Sequence, residues 1–375
     1  MTIHNLRPDN AALLRQFFQG GGTDWPVELS EDVFFQEIAA QGMAALLLQL
    51  TKKHCPAWPP ALLARLRETA LRQAAAEAVL EADLRGLLKV FAAEGIQPLL
   101  LKGTALAYSL YPEPWLRSRC DTDLLVAESE RDKAAAGLLR LGCKPLLETE
   151  AEYLSSQKSY SRTAQGVRCS YDLHWQISNA NRQFSSRFAD GSLLVAAVNL
   201  PALGEHARTL GRVNSLLYAC FHRAGHFSHS GDRLIWLHDI HLLCQALSES
   251  EAEAFCSKAK QLEITTLCAD AIAVAQSWFN TALPAPLANL MQTKAEAETF
   301  TSLLQPGGRQ VGIKNHALLA LKGIPTWRER LHFLFQNAFP PPEFMLWRYG
   351  AAKKSSLPLL YLKRLLEAVH IFLQR

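Results

Sequence analysis

The stretch "PLLLKGTALAYSLYPEPWLRSRCDTDLLV", residues 98–126, decides the fold. Its start, "PLLLKG" (98–103), is a short apolar run ending in Lys-Gly, the pattern of a fully buried strand. Its end, "DTDLLVA" (121–127), predicts a second strand with Asp121 and Asp123 at its mouth. Carboxylates in front of a buried Leu124-Leu125-Val126 run are costly to desolvate unless something positive stands beside them. Alternation puts Asp121 and Asp123 on one face and turns Thr122 away, so the two carboxylates converge.

Working downstream, Ser129 is expected to cap a helix over "ERDKAAAGLLRLG", stopped by Gly142. A third strand, "GVRCSYDLHWQIS" (166–178), alternates cleanly. Val167, Cys169, Tyr171, Leu173, Trp175 and Ile177 share one face; Arg168, Ser170, Asp172, His174 and Gln176 share the other. Upstream, residues 1–94 read as helices, the clearest running from Ala61 to Glu94 after Pro59-Pro60. From Val213 the helical period returns and lasts to the end, broken by "PGG" (306–308) and "PPP" (340–342). There is no internal repeat. The layout is α+β: a helical N-terminal region (1–94), a small mixed-sheet core (95–205) and a helical C-terminal domain (206–375).

At 49% apolar and 20% charged, the composition excludes a disordered or fibrous chain. Eight scattered cysteines form no CxxC pair or disulfide framework, which predicts a reducing cytosol. The start, "MTIHNLRPDNAALL", lacks the basic-then-apolar layout of a signal peptide. No charge-free apolar run approaches the ~18–20 residues of a membrane span. A cytoplasmic protein without a transmembrane segment is expected. The net charge of +4 is unevenly spread: residues 306–375 carry eleven Lys/Arg against three Asp/Glu. That basic end would suit nucleic acid or an anionic membrane, although a solvated helical face explains it too.

The carboxylates carry the chemistry. Asp172 supplies a third, and three converging carboxylates repel unless cations neutralise them. Mg²⁺ is the natural cation, with Mn²⁺ the alternative, because it is shared between carboxylates and substrate phosphates. Two such ions about 4 Å apart can clamp an in-line phosphoryl displacement. On the phosphate side, Gly103 and Thr104 follow a strand and open a helix, offering backbone N–H groups and a hydroxyl. Lys102, Arg117 and Arg119 add positive charge. The blander account has Asp121 capping a turn and Asp172 paired with an arginine.

His222 and His226 stand four apart on a predicted helix, with His229, His238 and His241 nearby. They line a nucleotide cleft with Arg233 and Asp239, or are structural, or form a zinc pair lacking the glutamate of a metalloprotease. His174, beside Asp172 by alternation, is placed to touch a phosphate or orient an acceptor. In the tail, Trp327, Phe333, Phe335, Phe339, Phe344, Trp347 and Tyr349 interleave with basic residues. Core packing is the expectation, stacking on nucleic-acid bases the alternative. Leu362, Leu366, Val369 and Leu373 form the apolar stripe of a last helix (Leu359 to Gln374), expected to dock on the protein rather than on a membrane.

The motifs "LLLKGTALAYSLYPEPWLRSRCDTDLLV", "YDLHW", "LYACFHRAGHFSHSGDRLIWLHDIHLLC", "FPPPEFMLWRYG" and "LPLLYLKRL", in that order, make the chain resemble the polymerase-beta-type nucleotidyltransferase superfamily. Within it, the chain is most similar to the bacterial uncharacterised, or "family 5", nucleotidyltransferases, over roughly residues 35 to 370. The resemblance implies a catalytic core at 95–205 and metal-dependent transfer of a nucleoside monophosphate from an NTP, ATP among them, to a hydroxyl of RNA, protein, sugar or small molecule. It implies that Gly103 and Thr104 form the phosphate turn and that Asp121 and Asp123 bind metal. Asp172 would complete the metal site and deprotonate the acceptor. The Gly103-to-Asp121 spacing is longer than in many superfamily members. A non-catalytic nucleotide- or RNA-binding relative of the same fold is the alternative.

Overall fold

In the computed structural model of the protein, the described residues are 3, 5–21, 24–54, 57–146, 156–177, 182–188, 193, 196–292, 298–304, 317–322, 324, 326–350 and 354–373. The predicted break at 306–308 lies outside them.

Three consecutive leucines form strand β1 (Leu99–Leu101), and all three are buried, so both of its faces are covered. That burial places it inside a sheet and not at an edge. Strand β2 (Thr122–Leu125) is equally buried and pairs antiparallel to β1, with Leu101 opposite Asp123. Strand β5 (Val167–His174) runs parallel to β2 on its other side, with Asp123 opposite Asp172 and Leu125 opposite His174. These three are the predicted strands, at the predicted positions. Four more complete the sheet: β3 (Lys144–Pro145), β4 (Gln157–Ala164), β6 (Val198–Asn199) and β7 (Arg208–Thr209). The order is β3-β4-β5-β2-β1-β7-β6, mixed in direction. The β4–β5 hairpin turns on Gln165 and Gly166, both with positive φ (47° and 78°), which two-residue hairpin loops require.

Alternation divides the sheet into two packed faces. Leu100, Leu124, Tyr171 and Leu173 meet Leu84, Leu87 and Phe91 of the long helix α4 (Pro60–Ala93). Leu99, Leu101 and Leu125 meet Phe184, Leu217 and Phe221 on the opposite side. Phe184 belongs to α7 (Arg182–Phe188), whereas Leu217 and Phe221 sit on α8 (Arg212–Ser230). Asp123 shares the face of Leu125, and Asp172 is turned opposite to Leu173, so the carboxylates face α8. Helices α1 (Pro8–Phe18), α2 (Glu31–Ala40) and α3 (Ala44–His54) bury Phe17, Phe34 and Ile38 in another cluster. That cluster includes Leu234 of α9 (Leu234–Ala246) and Trp278 of α11 (Thr265–Phe279), the two separated by α10 (Glu249–Gln261).

Two expectations are corrected. Ser129 does not cap helix α6 (Arg131–Arg140); it lies in a 3-10 turn, Glu128–Glu130, and the helix starts without a side-chain cap. Beyond α12 (Ala285–Gln292) come α13 (Trp327–Ala338), α14 (Pro342–Tyr349) and α15 (Leu357–Leu373). Their apolar residues are not core. Trp327, Phe335, Phe339 and Trp347 are exposed, and the α15 stripe of Leu362, Leu366 and Val369 faces outward. Met345 alone is buried on these three helices among their described residues. No single helix among the described residues is long and apolar enough to cross a membrane.

Candidate active site

The chain leaves β1 through a left-handed residue, Lys102 (φ 49°), and turns at once into α5 (Lys102–Ser109). A non-glycine residue held there costs on the order of 1–3 kcal/mol and persists only where its surroundings demand it. Here the turn brings the Lys102 ammonium back to β2, with Nζ 2.6 Å from Asp123 Oδ1. The next position must lack a side chain. A Cβ on Gly103 would lie 2.9 Å from Nη1 of Arg117, a guanidinium fixed by a bidentate pair with Asp239 (Nη2 to Oδ2 2.6 Å). Gly103 is therefore explained by close approach and not by chain flexibility.

Across the strand mouth, His174 Nε2 lies 2.9 Å from the same Asp123 Oδ1. Burial opposes ionisation of Asp123, but the Lys102 charge and the His174 hydrogen bond outweigh it and hold the carboxyl well below its usual range. Asp121 sits in the opposite regime. The residue is exposed at the strand mouth, yet burial of its carboxyl group, then the charges of Asp123 and Asp172, push it up to about 6. Asp172 is half-buried and accepts hydrogen bonds from Ser159 Oγ (2.6 Å) and Gln157 Nε2 (3.2 Å), both on β4. Three carboxylates thus share one ammonium, an imbalance that calls for a cation.

The donor set fits one. Ligand atoms of Asp123, Asp172 and His174 all lie within 4.8 Å of one another. His174 Nδ1 is buried without a hydrogen-bond partner. Two hard oxygen donors and an imidazole, with a third carboxylate adjacent, make a plausible divalent-metal set, and these residues could hold a metal ion. The geometric group takes His174 where the sequence reading placed Asp121; Asp121 stands beside it and acts on it through charge.

Other predicted residues fall as follows. The Thr104 hydroxyl is buried against β2, reaching the Asp121 carbonyl and Thr122 Oγ1 (3.3 Å each), so it does not point at an incoming phosphate. The first backbone N–H groups of α5 lie beyond the helix's own i→i−4 ladder. Arg119 is buried in a pair with Glu77 of α4, and its Nη1 donates to Thr122 Oγ1 at 2.8 Å. It therefore positions β2. Arg117 is held by Asp239, which also accepts from the Tyr111 hydroxyl at 2.8 Å.

His222 and His226 lie side by side along α8, ring centroids 4.5 Å apart and tilted by 48°, both close to Trp236 of α9 (5.2 and 5.3 Å). Burial, then the Lys102 charge, holds the His222 imidazole well below its usual range, so it is neutral and feels the carboxylate centre. A zinc site on this pair finds no third ligand among the described residues; the side chain of His229 lies outside them. Asp239, expected to line the cleft, is instead the partner of Arg117; Glu77, Tyr218, Ser159 and Gln157 were missed. Tyr218, one turn before His222 on the same helix face, was readable from the i, i+4 spacing; its hydroxyl donates to the Ile177 carbonyl at 2.9 Å.

His238 and His241 are also neutral. Burial lowers His238 to about 3, aided by the charges of His241 and Arg117, and lowers His241 to about 4. In the unfolded chain both imidazoles protonate near pH ~6.5. Below that value the unfolded state binds more protons, so stability present above it is lost as pH falls toward the folded values. His238→Gln is expected to flatten the fall in Tm between about pH 6.5 and 4.5 in calorimetry. Parallel curves for variant and wild type would show that His238 is not held neutral.

No curated protein matches the chain. A family profile does, over residues 28–280, more than half of the chain. With the strand-borne carboxylates in place, the chain belongs to that family, the uncharacterised nucleotidyltransferases.

Proposed function

We propose that the protein transfers a nucleoside monophosphate from an NTP to an acceptor hydroxyl, using divalent metal, Mg²⁺ or Mn²⁺, at Asp121, Asp123 and Asp172 with His174 adjacent. The observation that carries this reading is the register of Asp123 against Asp172 on parallel strands, which with His174 gathers three ligand atoms within 4.8 Å. When bound, the metal supplies charge neutralisation and alignment of the phosphates. The chain's own residues do the rest. Lys102 and the N–H groups at Gly103 and Thr104 bind the triphosphate, and Arg117 beneath Gly103 extends the positive field. His222 and His226, with Trp236, line the nucleotide side of the cleft. Asp172, held by Ser159 and Gln157, takes the proton from the acceptor hydroxyl. The acceptor oxygen bonds to the α-phosphorus, the bond to the bridging oxygen breaks, and pyrophosphate leaves.

The free cysteines support a reducing, cytoplasmic setting: all seven described ones are unbridged. The acceptor class follows from a label-transfer test. Wild type and Asp172→Asn are incubated with Mg²⁺, α-phosphate-labelled NTPs and cell extract, then protein, RNA and small molecules are separated. Label with wild type alone is the expected result, and the labelled fraction names the acceptor. Nucleotide binding with label in no fraction would instead favour a non-catalytic nucleotide- or RNA-binding relative.

A further inference from the structure

The C-terminal helices α13 and α15 present apolar side chains that the fold leaves uncovered. On α13, Trp327, Leu331 and Phe335 follow i, i+4, i+8 spacing and are 66, 56 and 61% exposed. On α15, Leu359, Leu362 and Leu366 form a second exposed stripe along a groove that Lys363 and Glu367 also line. Helix α13 is fixed by a capping box between Thr326 and Glu329, so its stripe is formed before any partner arrives. Around the stripes stand cations: Arg328 lies over the Trp327 ring at 5.6 Å and Lys363 over Tyr349 at 5.0 Å.

We propose that α13 and α15 dock the protein peripherally on an anionic lipid surface, with the leucine and aromatic stripes entering the headgroup–acyl boundary. Charge decides between the occupants. Residues 306–375 have a net charge of +8 while the whole chain carries +4, so the remainder is acidic and only this end is drawn to an anionic surface. A second copy would bring an equal positive charge against the first. Nucleic acid would satisfy the cations and offers bases to stack on Trp327 and Phe335, but it leaves Leu331 and the all-leucine stripe of α15 uncovered. Anionic lipid satisfies both, since interfacial helices join an apolar stripe to flanking Lys and Arg. The inference is independent of the nucleotidyl-transfer reading.

The test is flotation of the full chain with phosphatidylcholine vesicles, with and without phosphatidylglycerol, at low and high salt. Wild type is expected to float only with phosphatidylglycerol, and less so at high salt. Leu362→Asp/Leu366→Asp should lower partitioning about a hundredfold, since each leucine contributes by burial in the boundary. Thermal unfolding of that variant should match wild type, because both side chains are exposed. Flotation of the variant equal to wild type would overturn the proposal, as would wild type that binds single-stranded RNA but not vesicles. A lipid-free dimer dissolved by the same substitutions would assign the stripes to a second copy and overturn it too.

Discussion

Replacing Asp123 by Asn is expected to cut nucleotidyl transfer by about a thousandfold or more while leaving the protein folded. Asp123 is the point where every arm of the cluster meets: opposite Asp172 in register, 2.6 Å from Lys102 Nζ and 2.9 Å from His174 Nε2. Catalysis of this kind rests on fixed charge aimed at the phosphates, so loss of the shared carboxylate removes the metal set and loosens Lys102 together. The fold tolerates the change for a reason visible in the same geometry. Asp121 acts on the same ammonium, and its charge continues to act on Lys102 when Asp123 is neutral. Loss of the pair should therefore cost stability on the order of 1 kcal/mol, and not the 3–5 kcal/mol of an orphaned buried charge. Transfer assays and calorimetry on one preparation check both halves. Wild-type transfer by Asp123→Asn would remove Asp123 from the mechanism.

Arg223→Met should do the opposite, destabilising the protein by about 3–5 kcal/mol without touching the carboxylates. Arg223 is fully buried on α8 and bidentate to Asp232, with Nε to Oδ1 2.7 Å and Nη2 to Oδ2 2.8 Å; its Nη1 reaches Asp270 at 2.6 Å. Asp232 is itself 1% exposed, so removing the guanidinium strands a carboxylate with no solvent to turn to. The double variant Arg223→Met/Asp232→Asn should recover much of the loss, because the stranded charge goes with its partner. Urea unfolding distinguishes the cases: a single variant within 1 kcal/mol of wild type, or no recovery in the double, would show that the pair contributes little. Arg223 adjoins His222, so the ion pair that anchors α8 also fixes the helix face toward the carboxylates.

The contrast between these residues shows what local pattern can disclose. Asp123 and Asp172 were legible because a strand's period of two is strict: Leu124 and Leu125 mark the strand, and alternation alone assigns the aspartate faces. Helix α4 was legible from its helix-forming composition and its proline start. Nothing local in the sequence marks Arg223 or Glu77 as buried, or pairs Asp239 with Arg117, because a charged residue is buried only when its partner is buried with it. Those partners are distant: Arg117 and Asp239 lie 122 residues apart, Arg119 and Glu77 lie 42 apart. No periodicity spans such gaps.

The tail shows the same limit from the other side. Its apolar stripes were plain at helical spacing, but spacing says only that a helix has an apolar face, not that anything covers it. By itself the sequence determined the α+β layout, strands β1, β2 and β5, and the carboxylates they carry, because each depends on residues within one element. Tertiary structure decided the sheet order, the approach of His174 to Asp123, the buried ion pairs and the exposure of α13 and α15. Each of these depends on which elements meet, and that is set by long-range burial and the desolvation of charge.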